Sequence, residues 1–113
     1  MEIFKTYTFD SAHFLTKVPE GHPCRNLHGH TYSVSITVEG VIDASGFVLD
    51  FLELDKLVKP IVQSLDHTCL NDIIDNPTSE NLTLYFLEKL ESLPISKILV
   101  QETPKTGAVW SKP

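Results

Sequence analysis

The run HTYSVSITVEG at residues 30–40 alternates without a break. Tyr32, Val34, Ile36 and Val38 fall on one side; Thr31, Ser33, Ser35, Thr37 and Glu39 fall on the other. A period of two marks a strand with one buried face. Residues 2–14, EIFKTYTFDSAHF, repeat that period more loosely, with Ile3, Tyr7, Phe9 and His13 on one parity. Between the two strands, Pro19, Gly21 and Pro23 mark residues 15–27 as a loop.

The period then changes. Leu54, Leu57, Val58, Ile61, Val62 and Leu65 follow the i, i+3, i+4, i+7 spacing of an amphipathic helix. Asp50 and Glu53 have the spacing of a capping box that opens it, and Pro60 is expected to bend it. DHTCLNDIIDNP reads as a loop, after which Thr78 is placed to cap a second helix whose buried side carries Leu82, Tyr85, Phe86, Leu90 and Leu93. ISKILVQET (95–103) and GAVWSK (107–112) close the chain as two strands around a short turn. The order ββααββ predicts an α+β fold, an antiparallel sheet with both helices on one face.

Composition narrows this by exclusion. A chain of 113 residues has room for one core, so residues 1–113 are expected to form one domain. No apolar run is long enough to cross a membrane, and MEIFKTYTFD lacks the basic-then-apolar pattern of a secretory signal. A membrane role is therefore not expected, and a cytoplasmic location is. Net charge is −6 and the pI about 5.2, with no cluster of Lys or Arg, which argues against a nucleic-acid partner. An anionic small molecule stays possible, since a few local cations suffice. Cys24 and Cys69 are expected to be free thiols in a reducing compartment.

The chemistry concentrates in CRNLHGH, residues 24–30. His28 and His30 project from the same side of a strand, on the parity of Tyr32 and Val34. An antiparallel hairpin brings His13 to them near its loop end. Three neutral imidazoles converging in a partly dry place suit Zn²⁺, and a three-histidine set leaves a fourth position open for substrate or water. An HxH pair alone is a weak metal signal; the third histidine strengthens it. Cys24 is either a fourth ligand of a closed structural site or a base just off the metal. Asp66-His67 is either a carboxylate orienting an imidazole for proton transfer or an ordinary helix end. Glu102 shares the parity of Ile98 and Val100; it is either a carboxylate on a buried face, which needs a partner from the protein or from a guanidine-like ligand edge, or a residue at an exposed strand end.

Taken together, FDSAHFL, PEGHPCRNLHGHTY, GFVLDFLEL, SLDHTCLND, NPTSENL and the late QET resemble the family of 6-pyruvoyltetrahydropterin and 6-carboxytetrahydropterin synthases, nearly end to end. The resemblance implies the tunnelling fold, whose curved sheets close into a barrel across several subunits, commonly a hexamer built from trimers. It implies one Zn²⁺ on His13, His28 and His30, Cys24 as proton acceptor, and Asp66-His67 as a proton relay. It also implies that Glu102 grips the amino-pyrimidine edge of a pterin, with Thr78 and Ser79 completing that recognition. Sites shared between subunits would let His67 or Glu102 approach the zinc of another chain.

Arg25, Asn26 and Leu27 are the three residues between Cys24 and the HGH motif. Within the family this short gap goes with the 6-carboxy enzymes of the queuosine pathway, and a gap of five with the pyruvoyl-forming ones. A further branch has glutamate in place of the cysteine. The implied activity is a lyase that converts 7,8-dihydroneopterin triphosphate to 6-carboxy-5,6,7,8-tetrahydropterin, releasing acetaldehyde and triphosphate. The alternatives are the pyruvoyl synthase, which eliminates triphosphate and keeps the side chain, and a non-catalytic zinc- or pterin-binding module.

Overall fold

The computed structural model describes residues 1–113. Strands β1 (Glu2–His13) and β2 (His28–Glu39) form an antiparallel pair over their whole length, from Glu2 opposite Glu39 to His13 opposite His28. Helix α1 (Phe51–Leu65) and helix α2 (Ser79–Lys89) follow, then β3 (Ile95–Thr103) and β4 (Thr106–Ser111). The sheet order is β1-β2-β3-β4, all antiparallel, so β1 and β4 are its edges. The expected ββααββ order and the α+β class are what the chain adopts.

The alternation in β2 works as the sequence implies. Tyr32, Val34, Ile36 and Val38 are fully buried and pack with Phe9, Ile98 and Val100 against Leu54, Val58, Leu82 and Phe86 of the helices. The opposite face of β1 and β2 is a field of hydroxyls, where Thr6 and Ser35 share a 2.7 Å hydrogen bond and Thr31 donates to Asp10 at 2.5 Å.

Two local details depart from the expectations. Asp50 caps α1 by accepting from the Leu52 N–H at 2.9 Å, but Glu53 turns outward to Lys56 at 2.8 Å, so only half of the capping box forms. Leu57, counted in the apolar stripe, is 43% exposed, because the buried stripe is the narrower set Leu54, Val58, Val62 and Leu65. Helix α1 runs unbroken through Pro60, an exposed position where the lost N–H leaves the Lys56 carbonyl to water. Thr78 caps α2 as expected, accepting from the Asn81 N–H at 3.1 Å.

The end of α1 is tied to the free edge of β1. The Ser11 hydroxyl, buried on the core parity, reaches the Leu65 carbonyl at 2.5 Å, and the Ala12 N–H donates to the Thr68 carbonyl at 2.9 Å. The segment carrying Asp66 and His67 is thereby fixed along the sheet edge.

Candidate metal centre and active site

The last rung of the β1–β2 ladder puts His13 directly across from His28, with His30 two residues further along on the same face. The ring centroids lie 4.5 Å (His13–His28), 5.2 Å (His13–His30) and 5.0 Å (His28–His30) apart. Tyr32 floors the cluster, edge-on to His13 and His30 and stacked on Phe9. Burial pushes its phenol above the ordinary value, with the Glu102 charge adding to the effect.

Two backbone carbonyls decide which ring nitrogens face inward. His13 Nδ1 lies 2.7 Å from the Pro77 carbonyl, and His28 Nδ1 lies 2.7 Å from the Asn26 carbonyl. A carbonyl only accepts, so each Nδ1 carries the hydrogen, and each neutral ring then has a bare lone pair on Nε2. Those two Nε2 atoms stand 3.0 Å apart. Two lone pairs at that distance repel unless a cation lies between them. His30 Nε2 is buried with no hydrogen-bond partner, and the three residues can each offer a ligand atom within 4.8 Å of the others. Nitrogens sharing a tetrahedral Zn²⁺ stand about 3.3 Å apart, twice the Zn–N bond length times the sine of half the tetrahedral angle. The donor set fits a divalent ion of that kind. Burial holds the His13 imidazole below its ordinary pKa, the Pro77 carbonyl opposing that drift, so the neutral form needed for ligation is favoured.

Beside the cluster opens a cavity of about 320 Å³ lined by Pro23, Cys24, His28, His30 and Glu102. Cys24 sits in a one-turn 3₁₀ helix, Pro23–Arg25, within the long β1–β2 connection. It lines the cavity and is not among the three residues whose ligand atoms lie within 4.8 Å of one another. Glu102 lies 3.8 Å from His30 of the same chain, too far for a hydrogen bond. It occupies an irregularity of the β3–β4 ladder, which pairs Gln101 with Gly107 and then Thr103 with Thr106. Such a bulge re-aims one side chain. Gly107 permits it: a Cβ there would lie 2.5 Å from the Val100 carbonyl oxygen.

Asp66 and His67 are joined to each other and lie apart from this cavity. One Asp66 oxygen accepts from the Asp10 N–H at 2.9 Å, and the other meets His67 Nδ1 at 2.8 Å. The Asp10 hydrogen bond, then His67, hold the Asp66 carboxyl below its usual range; Asp66 in turn raises the His67 pKa. His67 has φ 56°, a left-handed conformation that costs a non-glycine residue on the order of 1 kcal/mol. Its N–H is held by the Asp10 carbonyl at 2.6 Å, and its side chain is 79% exposed. Thr78 and Ser79 do not line the cavity either. The Thr78 hydroxyl is engaged in the α2 cap and the Ser79 hydroxyl lies 3.2 Å from Glu80. Their segment reaches the cluster through the Pro77 carbonyl instead.

Sequence reasoning missed the two orienting carbonyls, which leave no trace in residue type. It also missed Asn71, whose side-chain amide grips both backbone groups of Phe14, accepting at 3.0 Å and donating at 2.8 Å. The signal for Asn71 was an amide set between apolar Leu70 and Ile73 in a loop beside the histidine-bearing strand.

Comparison with known proteins agrees with this geometry. The family model described as 6-pyruvoyl tetrahydropterin synthase matches residues 2–113. A dihydroneopterin monophosphate aldolase of Pyrococcus furiosus is 47% identical over 88 residues, covering 77% of this chain and 73% of the relative. A 6-carboxy-5,6,7,8-tetrahydropterin synthase of Bacillus subtilis is 37% identical, covering 96% and 84%. Among solved structures, the Caenorhabditis elegans 6-pyruvoyl tetrahydropterin synthase superimposes with a TM-score of 0.89 at 26% identity, covering 100% of this chain and 96% of its own. The match over almost every residue, the shared tunnelling fold and the three-histidine cluster lead to one conclusion: the chain belongs to the 6-pyruvoyl tetrahydropterin synthase family.

Proposed function

We propose that the protein is a zinc-dependent pterin lyase that converts 7,8-dihydroneopterin triphosphate and one water to 6-carboxy-5,6,7,8-tetrahydropterin, with acetaldehyde and triphosphate as the other products. The observation that carries this reading is the cavity in which Cys24, His28, His30 and Glu102 meet, with only three residues between Cys24 and the HGH motif. His13, His28 and His30 would hold Zn²⁺ through inward-facing nitrogens. The ion would supply Lewis acidity to the side-chain oxygens of the substrate. Glu102 accepts hydrogen bonds from the amino-pyrimidine edge and so fixes which side-chain carbon lies beside Cys24. Cys24, as thiolate, removes a proton from that carbon. His67, oriented by Asp66, returns one. Since the pair stands away from its own chain's cavity, it would act at a neighbouring subunit's site in a homo-oligomer, a hexamer or another trimer-based assembly.

A second reading has its own support. The 47% identical relative is named an aldolase of dihydroneopterin monophosphate. An aldolase also begins by moving a proton on the side chain and then breaks a carbon–carbon bond, so the same residues serve. The test is to incubate the purified, zinc-loaded protein separately with dihydroneopterin triphosphate and dihydroneopterin monophosphate and to identify products by mass. Acetaldehyde and carboxytetrahydropterin from the triphosphate support the first reading. Hydroxymethyl-dihydropterin from the monophosphate alone replaces it with the second, and a pyruvoyl product would point to triphosphate elimination.

A further inference from the structure

The turn that carries Cys24 is held by a side chain that the reaction scheme leaves unused. His22 stands immediately before the Pro23–Arg25 turn, and its Nδ1 accepts a hydrogen bond from the Cys24 N–H at 3.1 Å. It occupies the N-cap position, where serine, threonine, aspartate or asparagine is the common choice. The other bonds of the turn involve the same few residues. The His22 carbonyl accepts from the Arg25 N–H at 3.1 Å, and the Pro23 carbonyl from the Asn26 N–H at 3.1 Å. The Cys24 carbonyl accepts from the Leu15 N–H at 2.7 Å, just past the end of β1. Arg25 lashes the turn to the rest of the loop, with Nη1 lying 2.8 Å from the Val18 carbonyl.

The same turn ends on the metal cluster. Its C-cap residue is Asn26, whose carbonyl receives the His28 Nδ1 hydrogen. One end of the turn is therefore set by an imidazole and the other sets an imidazole, with the Cys24 thiol between them. Removing the cap acceptor leaves the Cys24 N–H without its partner on a turn only three residues long. The bonds that remain, from the Arg25 and Asn26 N–H groups to the His22 and Pro23 carbonyls, do not engage the Cys24 N–H.

We infer that His22 is a positioning residue for Cys24, its Nδ1 fixing the turn that presents the thiol to the histidine cluster. The role is carried by an acceptor atom, not by a charge or a proton, and this inference rests on the assignment of Cys24 as the base. His22 is exposed, so substitutions there leave the core intact.

The experiment uses the full-length, zinc-loaded protein with Cys69→Ser in every sample, so that Cys24 is the one thiol. His22→Ala, His22→Asn and Cys24→Ala are compared with this parent. Two quantities are compared, kcat on whichever pterin phosphate the protein turns over and the rate of Cys24 alkylation by iodoacetamide with and without zinc, with KM as the control. Loss of a cap of this kind loosens the turn enough to lower kcat about fivefold to tenfold in His22→Ala. KM stays put, because the Glu102 end of the site is untouched. The alkylation rate of His22→Ala rises and loses its dependence on zinc. His22→Asn restores both quantities, since its amide oxygen can accept the same N–H. Parent-like kcat and alkylation in His22→Ala overturn the inference. Failure of His22→Asn to restore either quantity also overturns it, because the acceptor would then not be what matters. Full turnover by Cys24→Ala refutes the base assignment instead, and the alkylation rates still report whether His22 holds the turn.

Discussion

Loading the protein with zinc should raise its thermal stability by an amount that can be worked out in advance. His13 and His28 already point Nε2 at each other across 3.0 Å, and a shared tetrahedral ion needs about 3.3 Å, so the rings move only a few tenths of an ångström. Both rings are pinned from behind by the Pro77 and Asn26 carbonyls. Little of the binding free energy is diverted into rearrangement, and binding relieves the repulsion between the lone pairs. At free zinc a thousandfold above Kd the native state gains about 4 kcal/mol. For a domain of this size that is a rise in Tm of roughly 15 °C. The assay is differential scanning calorimetry of the metal-free protein against a zinc titration, with His30→Ala as control. His30 Nε2 has no hydrogen-bond partner, so deleting the ring breaks no hydrogen bond of that atom. The metal-free His30→Ala protein should melt within a few degrees of the parent, while its zinc increment falls by more than half. Since metal binding competes with protons for the imidazole nitrogens, the increment should also shrink in acid. An unchanged Tm on saturation with zinc, or an increment of full size in His30→Ala, would refute the reasoning.

Other outcomes follow from the same geometry. If His67 is the proton donor, kcat should fall as pH rises through its pKa, which Asp66 holds above the ordinary 6.5 of a histidine; Asp66→Asn should move that limb to lower pH. An alkaline limb that stays in place in Asp66→Asn would assign it to another group. The stability carried by this contact has the same sign: full below pH 6.5, and lost as pH rises past the elevated His67 value. Gly107→Ala forces a Cβ to within 2.5 Å of the Val100 carbonyl oxygen and should cost about 1–3 kcal/mol in urea denaturation. By displacing the Glu102 bulge it should also raise KM more than it lowers kcat, and an unaltered KM would show that the bulge does not aim Glu102. Cys24→Ala alone should keep its zinc and lose turnover by roughly two to four orders of magnitude. Mixed with His67→Ala chains after both are dissociated, it should regain part of the activity if each site draws on two subunits. No recovery in the mixture, with mixed oligomers shown to form, would place the relay on the same chain as the thiol.

Much of this was legible along the chain because side-chain period is a property of residue order. The parity of His28 and His30 with Tyr32 and Val34 put them on the core side, and the hairpin placed His13 opposite His28 in the actual register. The helix caps at Asp50 and Thr78 were equally local. What could not be read depends on backbone atoms or on tertiary fit. The carbonyls of Pro77 and Asn26 orient two of the histidines regardless of residue type. Leu57 obeys the helical spacing yet stays exposed, because stripe width depends on what packs against it. Ser11 looks like a polar break in an apolar parity, and its burial makes sense only once the end of α1 supplies acceptors. Asp66 and His67 could be seen as a pair, but their position on the β1 edge, away from the cavity, is a matter of topology.

The division of the site between a ladder and a loop also bears on how such an enzyme changes over time. The three histidines sit on rungs that the whole length of two strands holds in register, whereas Cys24 rides on a connection of fourteen residues, 14–27, outside that register. Insertions, deletions or a different residue in place of Cys24 in the connection leave the rungs intact. The protein is thus built like a tool with a fixed chuck and an interchangeable bit. A lineage, or a designer, can sample new reactions by grafting loops, while the strands that hold the three histidines in register go on unchanged.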